Sequence, residues 1–121
     1  MARSPRDPQE LLPLAPLPFH ILLALSEGER HGYAIRKSAE ETSEGTLRPG
    51  AGSLYHAIKG LLAEGLIDEA EERPDPHLDD ERRRYYRLTA FGRQVARAEM
   101  ARLTILLKRA RRFPGLGKEE A

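Results

Sequence analysis

Cysteine is absent from the 121-residue sequence. Its absence excludes disulfide bonds, thiolate metal sites and cysteine nucleophiles, and it is consistent with a reducing compartment. The sequence also has no apolar run approaching the roughly 18 residues that a membrane-spanning helix needs. Acidic residues and prolines follow the first basic residues, which does not fit a secretory signal peptide. We therefore expect a soluble, cytoplasmic protein with no membrane partner.

Recognisable catalytic motifs are missing as well. No nucleophile elbow, phosphate-binding loop or HExxH pair occurs, and the four histidines are scattered along the chain. His77 lies near Asp79 and Asp80, but a loop of acids and prolines is more often solvated than metal-binding. We expect neither an enzyme nor a bound metal or cofactor.

The net charge of +1 conceals an uneven distribution of charge. Residues 68–81 hold eight acidic residues and one basic residue, Arg73, and the arginines at 82, 83, 84 and 87 follow directly. The distribution of charge, not its total, decides whether a protein surface attracts nucleic acid. The total charge is therefore uninformative about such a partner.

The first half of the chain is predicted to form a proline-rich arm and three helices. Five of the nine prolines fall within the first 18 residues, so residues 1–16 are expected to form an extended arm. Leucines at 11, 12, 14 and 17 indicate that its later part lies on another surface. Apolar periodicity and terminating glycines predict helices over residues 19–25, 32–42 and from 51 or 53 to 64.

The third predicted helix has two distinct faces. Its buried stripe is expected to comprise Leu54, Ile58, Leu61 and Leu62. The opposite face carries His56, Lys59, Gly60 and Ala63, with Tyr55 at the edge. Ser53 is expected to cap the helix and is also a candidate phosphate donor.

A β-hairpin and a long helix are predicted to follow. Period-two alternation from Arg83 to Leu88 indicates a strand, which pairs with residues 66–73 around a loop that contains Pro74 and Pro76. Thr89 is expected to cap a helix that runs to about Arg112, roughly 35 Å long. Its apolar side comprises Val95, Ala96, Leu103, Leu106, Leu107 and Ala110. A core of about 75 residues cannot cover such a helix along its whole length, so these residues are predicted to form a homodimer interface.

The order of elements predicts a mainly α fold with a small β-hairpin, a winged helix-turn-helix with a long C-terminal dimerisation helix. The expected boundaries are 17–88 for the winged domain, 89–113 for the dimerisation helix and 114–121 for a tail. An α-helix fits the ~12 Å major groove of DNA, while a hairpin reaches the flanking backbone.

Three separate motifs carry a resemblance to a known family. They are His31-Gly32-Tyr33-Ala34-Ile35, Gly52-Ser53-Leu54-Tyr55 with the following Gly65-Leu66-Ile67, and Arg84-Tyr85-Tyr86-Arg87-Leu88-Thr89 with Gly92. In order and spacing the sequence resembles the PadR family of transcriptional regulators over residues 17–92, and the single C-terminal helix is similar to the smaller branch of that family. The resemblance implies a DNA-binding homodimer that represses a promoter and is sometimes released by a small-molecule effector. The loop from Pro74 to Glu81 is acidic where family wings are commonly basic, which shifts the expected wing contacts to the arginines at its base.

Candidate DNA-binding residues follow from the helix faces and the basic segment. They are Arg36, Lys37, Gly52, Ser53, Tyr55, His56, Lys59, Arg82, Arg83 and Arg84. The arginines could instead neutralise the acids at 79–81. Because side chains alternate along a strand, Arg83 and Arg84 lie on opposite faces and cannot share one partner. Tyr55 could equally be half-buried against the hairpin. His31 is expected to be structural, either capping a helix or packing near Tyr33.

The sequence thus favours a sequence-specific regulator of transcription, a repressor acting as a homodimer on a pseudo-palindromic double-stranded operator. The alternative is a winged-helix module that binds protein and not DNA. The acidic wing favours that alternative, and the near-zero net charge is compatible with it.

Overall fold

The computed structural model describes residues 6–71, 73–74 and 82–117, with side chains described except at 73, 74 and 82. Its helices are α1 (Pro16–Leu25), α2 (Gly32–Thr42), α3 (Ala51–Ala63) and α4 (Ala90–Ala110), preceded by a 3-10 turn at Pro8–Leu11. Its strands are β1 (Arg30–His31), β2 (Ile67–Glu69), β3 (Arg73–Pro74), β4 (Arg82–Arg83) and β5 (Tyr85–Leu88).

One hydrophobic core joins the helices to the sheet. Helix α1 lies at its centre and contacts α2, α3, α4 and β5. The fully buried side chains include Ile21, Leu22, Leu25, Ile35, Ile58, Leu66, Ile67 and Val95. The fold is mainly helical with a small antiparallel sheet, as predicted. Among the described helices, none is long and apolar enough to cross a membrane.

The sheet has three strands in the order β1-β5-β2, all antiparallel. The predicted hairpin is present as β2 and β5, in which Ile67 pairs with Leu88, and β3 with β4 forms a second two-stranded ladder. Strand β1, in which Arg30 pairs with Tyr86, was not predicted. Two residues are too few to show a period-two pattern, so only the tertiary pairing reveals this strand.

The N-terminal segment contains a short 3-10 turn that the sequence did not predict. Asp7 caps the 3-10 turn by accepting a hydrogen bond from the Gln9 backbone N–H. The turn packs against α4, and the Arg6 guanidinium lies 2.6 Å from the Glu64 carboxylate at the end of α3. The expected extended conformation is therefore wrong for Pro8–Leu11, whereas Asp7, Leu12 and Ala15 have extended backbone angles. The expectation that the later part of the segment lies on another surface is confirmed.

Helix α4 carries one apolar stripe that is half covered. Thr89 caps the helix as predicted, accepting a 2.9 Å hydrogen bond from the Gly92 backbone N–H. The stripe is buried over Gly92, Val95, Ala96 and Glu99, and it is mostly exposed over Leu103, Leu106, Leu107 and Ala110. Val95 is 0% and Ala96 8% exposed because the chain's own core covers them. Their predicted place in a dimer interface is therefore wrong.

Candidate nucleic-acid interface

Helix α3 has one face in the core and the opposite face in solvent. Leu54, Ile58 and Leu61 are at most 4% exposed. The same helix turns Gly52, His56, Lys59, Gly60 and Ala63 outward, and all are exposed. Leu62, predicted to be buried, is half-buried at the edge of the core. The predicted two-faced character of this helix is confirmed.

The start of α3 differs from the prediction. Its N-cap residue is Gly50, and no described side chain caps it. Ser53 lies within the first turn of the helix and is exposed. The expected cap at Ser53 is wrong, because the helix begins before that residue. Ser53 is therefore a surface residue of the first helical turn.

A concave surface forms where α2, α3 and the wing, defined here as strands β2 to β5, meet. It is lined by Gly32, Tyr33, Arg36, Ala51, Leu54, Tyr55 and Arg83, with a volume of about 230 Å³. The Arg36 guanidinium lies 5.6 Å from the centre of the Tyr33 ring, a distance at which a cation–π contact orients it. The fold thus brings three predicted contact residues, Arg36, Tyr55 and Arg83, around one depression.

Tyr55 lies against the start of α2, not against the hairpin alone. A Cβ added to Gly32 would lie 2.5 Å from the Tyr55 hydroxyl oxygen, so a larger residue there would displace the Tyr55 side chain. Burial raises the pKa of Tyr86 on β5, and the neighbouring Tyr55 raises it further. The Tyr55 side chain is 46% exposed, so it supports the junction of these elements and still presents part of its ring to solvent.

Lys37 lies apart from this surface. It lines a depression with Glu27, Arg30 and Glu41 on another side of α2. The structure therefore does not bring Lys37 together with Arg36, although the two are adjacent in sequence.

The arginines at the base of the wing have acidic neighbours on β2. Arg84 lies 3.5 Å from the Glu69 carboxylate, and Arg87 lies 4.0 Å from that of Asp68. These pairs arise because β2 and β5 are adjacent antiparallel strands with Asp68 opposite Arg87. The acids at 79–81, the partners considered from sequence, lie outside the described residues, as does the Arg82 side chain. The opposite charges of the two segments were the sequence signal for these ion pairs. The pairs could not be assigned without the register between β2 and β5.

His31 is structural, as predicted. Its Nδ1 accepts a 3.1 Å hydrogen bond from the Ala34 backbone N–H at the start of α2. Its ring packs edge-on against Tyr85 at 5.3 Å and lies 6.3 Å from that of Tyr33. Within the described ranges, no group of three histidine or acidic side chains could hold a metal ion, and His77 lies outside them.

Glu99 is a buried charge that the sequence analysis missed. Its side chain is 2% exposed, and its Oε2 accepts hydrogen bonds from the Leu14 backbone N–H at 2.9 Å and from Arg102 at 3.0 Å. The Arg102 bond lowers the pKa of Glu99, burial opposes that effect, and the Leu14 bond lowers the pKa further. Its burial could have been predicted from the sequence, because Glu99 is an acidic residue within the apolar stripe of α4.

Comparisons with known proteins agree with this architecture. The model of the transcriptional regulator PadR-like family matches residues 21–98. A crystal structure of a PadR family transcription regulator from Clostridium difficile superposes with a TM-score of 0.69 at 22% identity, covering 84% of this chain and 100% of that one. Bacillus subtilis PadR in complex with operator DNA superposes with a TM-score of 0.59 at 25% identity, covering 69% of this chain and 47% of that one.

A curated relative has a different length. An uncharacterized 37.1 kDa protein in transposon TN4556 of Streptomyces fradiae is 39% identical over 87 residues. The match covers 69% of this chain but 23% of that protein, so the present chain corresponds to only part of it. Since the family model spans most of the chain and the fold has the same winged arrangement, the chain belongs to the PadR-like family of transcriptional regulators.

Proposed function

We propose that the chain is a sequence-specific DNA-binding repressor in which α3 enters the major groove. The observation that carries the proposal is the exposed α3 face with His56 and Lys59, held opposite the buried stripe. An α-helix fits a groove ~12 Å wide, and its outward side chains then contact base edges. The Bacillus subtilis PadR structure, a complex with operator DNA, supports the same use of the shared fold.

Positive side chains flank this face. Arg36 and Arg83 lie around the depression at the start of α3, and Arg84 lies at the base of the wing. Contacts to phosphates orient a protein on DNA, whereas contacts to bases select the sequence. We assign the arginines and Lys59 to the phosphates, and the rest of the outward α3 face to the bases.

We further propose that two chains pair through α4. Leu103, Leu106 and Leu107 are 38–53% exposed and continue the stripe that the chain's own core covers further upstream. An apolar stripe of this kind is stabilised when a second copy covers it, and twofold pairing is the commonest arrangement. Two α3 helices would then contact half-sites about 34 Å apart, which predicts a pseudo-palindromic operator.

Gel shift with the DNA upstream of its own gene, at low and high salt, tests DNA binding. Unrelated DNA of equal length and base composition is the control. A shift specific to the upstream DNA that weakens with salt is expected, because each neutralised phosphate releases counterions. Absence of any shift at low salt contradicts the proposal and favours the protein-binding alternative.

A transcriptional reporter tests the direction of regulation. A promoter that the purified protein binds is expected to lose activity when the protein is expressed with it, and increased activity would contradict repression. Release by a small molecule stays a prediction from the family resemblance, and a screen for compounds that abolish the gel shift tests it.

A further inference from the structure

The outward side of α3 carries little side-chain bulk. Gly52, His56 and Gly60 follow each other at intervals of four residues and therefore lie along one side of the helix. All three are exposed, and Leu54, Ile58 and Leu61 hold the opposite side in the core. His56 is thus a projecting side chain with a glycine one turn before it and another one turn after it.

Neither glycine is explained by the packing of the described chain. A Cβ built on Gly52 or Gly60 has no described heavy atom within 4 Å, and both residues lie inside α3. Glycine is a weaker helix former than alanine in a helix interior, where Gly60 lies. The fold would tolerate alanine there, so the bare backbone fits a requirement that lies outside the folded chain.

The two glycines also shape the adjoining surface. With Leu17, Pro18, Ser53, His56 and Ala57 they line a shallow depression of about 560 Å³ between α1 and α3. Lys59, on the same outward face, is exposed and positively charged, which suits an anionic partner. A surface with little side-chain bulk lets another macromolecule approach the backbone closely.

We infer that Gly52 and Gly60 allow the α3 backbone to lie close to the floor of the major groove. His56, which projects between them, is then the specificity-determining residue. Its ring N–H donates to an acceptor on a base edge, such as a purine N7. Lys59 contacts a phosphate and adds affinity without selecting a base. This inference rests on the proposed function, since it names how that DNA-binding face selects its sequence.

Selection of binding sites from a randomised double-stranded DNA pool tests the role of His56. The full chain, His56→Ala and Lys59→Ala are compared, with melting temperature as the check on folding. His56→Ala is expected to reduce the preference at one base position of each half-site by about tenfold and to keep the rest of the consensus. Lys59→Ala is the matched control, expected to weaken binding to all sequences alike and leave the consensus unchanged.

The outcomes separate this inference from the function on which it depends. If the wild-type chain selects no consensus, sequence-specific DNA binding fails, and the inference fails with it. If the wild-type chain selects a consensus that His56→Ala reproduces at every position, only the inference is overturned.

Gly60→Ala provides a second test, because it separates stability from binding. The variant is expected to melt about 2–6 °C higher, since alanine favours the helix. It is also expected to bind the selected DNA about tenfold more weakly, because its methyl group holds the helix away from the groove. Unchanged or tighter DNA binding by this variant overturns the inference, whatever its melting temperature.

Discussion

At the scale of single residues, the buried carboxylate of Glu99 couples the N-terminal segment to α4. It accepts hydrogen bonds from the Leu14 backbone and from Arg102, which together hold its pKa below the ordinary glutamate value of 4.5. Because the pKa is lower in the folded state, the ionised group stabilises the fold above the pKa of the unfolded chain. That contribution is lost as the pH falls through the lower, folded-state pKa.

Replacing Glu99 by glutamine keeps the shape of the side chain and removes its charge. Glu99→Gln is expected to lower the free energy of unfolding at neutral pH by about 1–3 kcal/mol, since it weakens charge-assisted hydrogen bonds. Denaturant titrations at one protein concentration, from neutral pH down to below 4, measure the effect. The difference from wild type should shrink at the acidic end. Glu41→Gln, exposed on α2, is the control and should change stability by less than about 0.5 kcal/mol.

Gly92 is another residue with a large expected effect. A Cβ at this position would lie 2.0 Å from the Leu66 carbonyl oxygen and 2.9 Å from the Leu88 Cδ1. Gly92→Ala is therefore expected to destabilise the fold by at least about 2 kcal/mol, because a backbone atom cannot move aside locally. Thermal unfolding measures this. Gly60→Ala makes the same change in a helix where space is free, and equal melting temperatures for the two variants would refute the argument.

At the scale of elements, the exposed half of the α4 stripe should decide the number of chains in the assembly. Leu103→Glu with Leu107→Glu places charge on the stripe. The double variant is expected to sediment as a single chain, and the wild type as the proposed pair. Its affinity for a two-half-site operator should fall at least about a hundredfold, since linked half-sites bind by avidity.

The control for that experiment lies on the same helix. Ile105→Glu changes an exposed apolar residue outside the predicted interface, on another side of α4 from Leu103 and Leu107, and the wild-type mass should persist. A double variant with the wild-type mass, or a wild-type protein that sediments as one chain, would contradict pairing through this surface.

At the scale of the whole molecule, acidic residues beside the wing arginines should weaken the DNA binding that we propose for them. Glu69 lies beside Arg84, and a neutral side chain there would remove both the pairing and a negative charge near phosphate. Glu69→Gln is expected to tighten DNA binding several-fold at low salt, with the gain shrinking at high salt. Filter binding across a salt series measures it, with Glu41→Gln as the control. Unchanged affinity at every salt concentration would remove the wing base from the proposed interface.

Much of the helical architecture could be predicted because the evidence for it is local. The spacing of Leu54, Ile58 and Leu61 specified the buried side of α3, and Thr89 specified the start of α4. Strand β1 is too short to show a period, and the cap expected at Ser53 failed because α3 begins at Ala51. The contact residues of the interface stay predictions, since they depend on a DNA partner.

The sequence by itself determined the order of the four helices and of the β2–β5 hairpin, the two faces of α3 and the apolar stripe of α4. Each of these depends on side chains within about two helical turns or one strand. Only the tertiary structure decided how much of the α4 stripe the core covers, which acids pair with Arg84 and Arg87, and that Lys37 lies apart from Arg36. These outcomes depend on register and packing between residues distant in sequence, and local periodicity contains no information about such contacts.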